Sequence, residues 1–140
     1  MEKETVLGVI FLDGFLKYLG ENPNMEMVKL FHAGFVMGQA EKVASGACYG
    51  AMFRTGEKYQ EMCVEVDTDI AHRYGLRCVT IGEEIWIVNN TGNALLVEMC
   101  KREENSPTWH LIRGIICGFP PERIDYTYHM RKGYLEPADR

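Results

Sequence analysis

Apolar positions recur at helical spacing over most of this chain and switch to strand-like runs in one short stretch. Val6, Ile10, Phe11 and Phe15 predict a helix from Thr5 to about Tyr18, stopped by Gly20, Asn22, Pro23 and Asn24. From Met25 to about Ala44 the pattern is apolar nearly all round. Met27, Phe31, Phe35 and Gly38 fall on one side and Val36, Ala40 and Val43 on another. A helix without a wide polar face is expected at the centre of a fold or in a subunit interface. His32 shares a side with Gln39 and reads as an interior histidine. Ser45 and Gly46 end this helix, and a third is expected from Ala47 to about Met62, with a short one from Thr68 to Gly75.

The period then changes. Leu76–Ile81 and Ile85–Val88 are rich in β-branched and aromatic residues and are separated by Gly82-Glu83. A two-residue Gly-X loop suits a type II′ turn, so a β-hairpin is expected over residues 76–88, closed by Asn89–Gly92. Helical spacing resumes from Ala94 to about Glu103. Ser106-Pro107 is an N-cap and N1 pair for a helix to Cys117 with Gly118 at its end, and Pro120-Pro121 opens a last helix through Lys132. The fold class is therefore α+β, mainly helical, with about five to six helices and one hairpin. No repeat or composition shift divides the chain, so residues 1–140 read as a single domain with a frayed tail at 135–140.

Composition narrows the class. Hydrophobic residues are 46% and charged residues 25%, the balance of a soluble globular chain rather than a disordered one. The net charge of -5 disfavours general nucleic-acid binding, which needs an excess of Lys and Arg. The five cysteines are odd in number and widely spaced, without a CxxC, which fits buried thiols in a reducing cytoplasm and argues against a zinc or disulfide framework. No apolar run reaches the roughly 20 residues that span a bilayer, and no positive leader precedes the first one. The -5 is unevenly spread: residues 1–70 hold 6 Lys+Arg against 11 Asp+Glu, residues 71–140 hold 9 of each, and 7 of the 8 arginines lie in the second half.

That asymmetry points to Trp109–Tyr134, where Arg113, Arg123, Arg131 and Lys132 face only Glu122 and Asp125, amid His110, His129, Trp109, Phe119, Tyr126, Tyr128 and Tyr134. On a helical wheel Leu111, Ile112, Ile115 and Ile116 share one face, while His110, Arg113, Gly114 and Cys117 share the other. Gly114 leaves a gap there for a ligand or a neighbouring backbone. Arg113 suits a phosphate or carboxylate, and His110 proton transfer. Asp125 and His129, four residues apart, form a pair that could orient an acid/base histidine or simply stabilise a surface helix. A Gly-Phe-Pro turn could bring His110, Arg113, Asp125 and His129 together. Three glycine pairs at i, i+4 (Gly34/Gly38, Gly46/Gly50, Gly114/Gly118) are read first as internal close packing and second as a subunit interface. The acidic cluster Glu61, Glu65, Asp67 and Asp69 lacks the spacing of a calcium loop and is read as solvated charge.

No Walker A, GxGxxG, HExxH or GxSxG pattern is present, so catalysis is disfavoured and neither cofactor nor metal is expected. The primary expectation is a small, cytoplasmic, non-catalytic binding protein that self-associates, of a kind suited to a viral or mobile-element accessory role. It takes a small anionic, nucleotide-like ligand or a protein partner through a C-terminal surface of Trp109, Arg113, Arg123, Tyr126 and Arg131. The alternative is a small phosphoester hydrolase or transferase with His110 or His129 as acid/base, Asp125 in support and Arg113 stabilising negative charge.

Overall fold

The computed structural model describes residues 24–124. The expected helix at Thr5–Tyr18, the tail, and Asp125, Tyr126, His129 and Arg131 lie outside the described residues. In chain order the described part comprises α1 (Met25–Ala44), β1 (Gly50–Arg54), α2 (Glu57–Arg73), β2 (Arg77–Ile81), β3 (Glu84–Val88), α3 (Asn90–Cys100) and α4 (Pro107–Cys117). It is mainly helical and α+β, as the pattern implied.

The three strands form one antiparallel sheet in the order β1-β3-β2. The hairpin stands as expected: Ile81 pairs with Glu84 across a two-residue turn, and Gly82 takes a positive φ of +60° there. Glu83 is not among the positive-φ residues, which is the backbone sense of a II′ turn. β3 is buried along its whole length because it is central in the sheet and covered on both faces. Ile87, with Ala51 and Phe53 of β1, packs against Val36, Ala40, Val66 and Ile70 of α1 and α2. Trp86 and Val88, with Met52, pack against Leu96, Met99, Ile112 and Ile116 of α3 and α4. The sheet is thus the middle of three layers.

β1 corrects the expectation of a helix over Ala47–Met62. GAMFR is only five residues long, too short for its apolar content to separate strand from helix, and its partner β3 lies about thirty residues downstream. Its first residue must be glycine: a Cβ on Gly50 would stand 2.7 Å from Ile116 and 2.8 Å from Val88. The remainder of the expected third helix and the expected short helix are one continuous element, α2, which ends at Arg73 and is followed by Gly75 at φ +69°. α3 begins four residues earlier than expected, because the Asn89 side chain accepts a hydrogen bond from the Gly92 N–H at 2.8 Å and caps it. Gly92 fits where nothing larger could; its Cβ would fall 2.0 Å from the Tyr49 carbonyl oxygen. α4 is built as the sequence indicated, with the Ser106 hydroxyl accepting from the Trp109 N–H at 3.2 Å, Pro107 at the first position and Gly118 left-handed at φ +71°.

α1 has the expected bounds but is less buried than its composition suggested. Val28, His32, Val36, Ala40 and Val43 form one buried stripe. Met27, Leu30 and Met37 are exposed, and among the described residues nothing lies within 4 Å of a Cβ built on Gly34 or Gly38. Both glycines are exposed, so the described residues show no close packing at this pair. The other two pairs differ as well. Gly46 lies in a turn and Gly50 in a strand. Gly114 packs under Ile124 and Phe119, while Gly118 stops α4.

α1 is tied to α2 by a buried His32–Asp67 pair, Nε2 to Oδ1 at 2.7 Å. Burial alone would lower the His32 pKa. The hydrogen bond and charge of Asp67, with a contribution from Cys63, overcome this and push it up to about 9. Asp67 thereby leaves the supposed acidic cluster, whose other members stay on the surface of α2.

Candidate functional site

The most concentrated polar chemistry lies where β3 meets α4. The strand register sets Glu84 directly opposite Arg54, and Trp86, two residues on, shares its face of the sheet. α4, aligned by its Ser106 cap, directs Arg113 onto that face. Glu84 accepts two parallel bonds from Arg113: Nη1 to Oε1 at 3.1 Å and Nη2 to Oε2 at 2.8 Å. It also accepts from Trp86 Nε1 at 3.1 Å and from Arg54 Nη2 at 3.0 Å. The Arg113 guanidinium lies 5.2 Å from the Trp86 ring and 4.8 Å from the Trp109 ring. Planar, delocalised charge is what such a site needs; a lysine would supply neither the fork nor the stacking surface.

Burial by itself would raise the Glu84 pKa. Arg113 above all, then Trp86 and Arg54, outweighs it and holds the carboxyl below its ordinary range. Glu84 therefore stays ionised with both oxygens engaged, which makes it a structural anchor and unsuited to general-base work.

Above this anchor opens a cavity of about 410 Å³. Its floor and walls are Glu84, Ile81, Met99 and Cys100; Trp109, Arg54, Arg102, Glu83 and Glu104 stand around it. Trp109 is half-buried, so it offers an aromatic surface to the cavity while its ring is backed by Arg113. The Arg54 side chain is 42% exposed and that of Arg102 50%. Arg102 is held only loosely, 3.9 Å from Glu98.

Of the residues singled out in sequence, Trp109 lines this cavity and Arg113 underlies it at 1% exposure, committed to Glu84. His110 is 3% exposed and meets the Trp109 ring edge-on at 4.9 Å. Arg123 lies 5.0 Å from the Phe119 ring, at the far end of α4 from Trp109. Both faces that the wheel separates on α4 are covered: His110, Arg113 and Gly114 are buried, as are Ile112 and Ile116. The gap at Gly114 is filled by Ile124 and Phe119, because the turn after Gly118 folds back and the Phe119 N–H bonds the Gly114 carbonyl at 3.0 Å.

Arg54, Glu84, Trp86 and Arg102 were missed. The one available signal was Glu84 itself, an acidic residue opening an otherwise apolar strand with a tryptophan two places later. Arg54 had no signal, since its strand was not recognised.

Fold and site together define a small, mainly helical α+β domain with an arginine–tryptophan shelf beneath a surface cavity. No family model matches the chain, and no curated protein and no solved structure matches it. Among the described residues, no helix is long and apolar enough to cross a membrane.

Proposed function

We propose that this is a non-catalytic binding protein whose cavity beside Trp109 takes a small planar ligand carrying both an anionic group and N–H donors, as a nucleotide does. One observation carries this reading: an aromatic face, backed by a rigid guanidinium–carboxylate pair, lines a cavity that also holds Arg54 and Arg102. An aromatic ring stacks a planar base without demanding its identity, and exposed arginines meet phosphate or carboxylate in bidentate fashion. Glu83 and Glu104 add acceptors for ring or exocyclic N–H groups, so the cavity favours a ligand with donors over a bare phosphate. A volume of about 410 Å³ is within the range of small-molecule sites.

Binding without turnover fits the same chemistry. Glu84 is fully engaged, and His110 is buried beside Trp109 instead of facing the cavity as a proton donor. Of the five cysteines Cys63 is buried, Cys48, Cys78 and Cys117 are half-buried and Cys100 is exposed, so the expectation of mostly buried thiols is not met.

Titration calorimetry with a panel of nucleoside mono-, di- and triphosphates tests the proposal. At least one is expected to bind, with Trp109→Leu and Arg102→Gln each weakening it roughly tenfold. A panel in which nothing binds at millimolar concentration, or a ligand indifferent to both variants, would refute it. Hydrolysis of a bound phosphoester, lost in His110→Ala, would favour the enzymatic alternative.

A further inference from the structure

A second surface lies across the molecule from this cavity, in the groove between α1 and α2. Its floor is apolar, from Leu30 and Ala33 of α1 and Val66 of α2, and it encloses about 410 Å³. Leu30 is 71% exposed, the most exposed of the large hydrophobic side chains among the described residues. Glu26, Glu65 and Asp69 line the same groove. Two cations stand close, and both are already engaged: Lys29 lies 3.8 Å from Glu65 and Arg73 lies 3.1 Å from Asp69.

The carboxylates extend beyond the groove. Glu57, Glu61, Glu65 and Asp69 follow one another every four residues along α2, and all are exposed. Like charges at that spacing work against an isolated helix, so Glu57, Glu61 and Glu65 do not stabilise one another. An exposed leucine bordered by a row of carboxylates has the reverse charge of a basic amphipathic segment and a matching apolar line.

We propose that the α1–α2 groove docks a basic amphipathic segment of another protein, seating an apolar side chain among Leu30, Ala33 and Val66 and its Lys or Arg side chains along the α2 carboxylates. Charge selects this occupant. A second copy brought face to face through the same groove would set one carboxylate ladder against the other, whereas a basic segment neutralises it.

The test is fluorescence anisotropy of the full chain with a labelled amphipathic Leu/Lys peptide of about 15 residues, beside a Leu/Glu peptide of the same register. The Leu/Lys peptide is expected to bind and the Leu/Glu peptide not to. Leu30→Ser is expected to weaken binding about fivefold, and Glu61→Lys combined with Glu65→Lys about tenfold or more. Lys29→Glu is expected to tighten it, a gain that no folding defect imitates. Trp109→Leu is expected to leave it unchanged, which separates this surface from the cavity of the other site. Failure of the Leu/Lys peptide to bind overturns the proposal. So does binding that Leu30→Ser leaves intact, since attraction to a charged surface alone would then account for it. Sedimentation showing a dimer that Leu30→Ser dissociates would assign the groove to a second copy and overturn the proposal equally.

Discussion

Replacing Glu84 by Gln tests the anchor directly. The amide keeps the shape of the carboxylate but removes its charge and one of the two oxygens that receive Arg113. Arg113, at 1% exposure, then loses the carboxylate that receives both of its terminal nitrogens. Breaking a buried pair in this way costs about 3–5 kcal/mol. The lower end applies here, because Arg54, the other cation on Glu84, has a 42% exposed side chain and can turn to water. A loss of about 3 kcal/mol in a domain of this size lowers the melting temperature by roughly 10 °C. Urea unfolding followed by tryptophan fluorescence, with thermal melts by circular dichroism, measures both quantities. Arg113→Met alone is expected to destabilise as well, but the double variant is expected to lose less than the two single losses together, since each removes the partner the other strands. If Glu84→Gln unfolds within about 0.5 kcal/mol of the parent, the pair is not the anchor described here.

Other expectations follow from the same structure. The His32 pKa rises from its ordinary 6.5 to about 9 in the fold, so its pairing with Asp67 contributes stability fully below pH 6.5, and that contribution fades as the pH climbs through 9. Melting temperatures between pH 6 and pH 10 are expected to fall in the parent, and to fall less steeply in His32→Gln; equal slopes would count against the pair. Gly92→Ala forces a Cβ against the Tyr49 carbonyl and is expected to cost at least about 2 kcal/mol in urea unfolding. Gly34→Ala, at an exposed position of a regular helix with no described residue within 4 Å of the added Cβ, is expected to gain about 0.5–1 kcal/mol, and a loss there would mean that something covers that face.

What the sequence made legible was local. The hairpin followed from a Gly-X turn between β-branched runs, and α4 from Ser106, Pro107 and Gly118, because each signal acts within a few residues of itself. β1 escaped because a five-residue strand is made by its neighbour: Met52 and Phe53 suit either a helix or a strand until β3 lies alongside. The site divided along the same line. Trp109 and Arg113 stood out within one segment, whereas Glu84 lies 29 residues away in sequence and Arg54 on the unrecognised strand, and it is they that turn Arg113 from a free cation into a fixed shelf. His32 read correctly as interior, but its partner Asp67 looked like one more surface acid, because nothing local marks which residue of an acidic stretch faces inward.

The strand order also governs how this chain can assemble. β2 and β3 meet across a two-residue turn, so their pairing closes only a short stretch of chain. β1 is different. To lie beside β3 it must close a loop that contains the whole of α2 and β2, and α4 also meets the sheet through β1. Closing that loop costs chain entropy before any pairing returns it, so the β1–β3 ladder carries a larger entropic cost than the β2–β3 hairpin. Because β3 follows β1 by the length of α2 and β2, β1 has no partner strand until Glu84–Val88 has been synthesised.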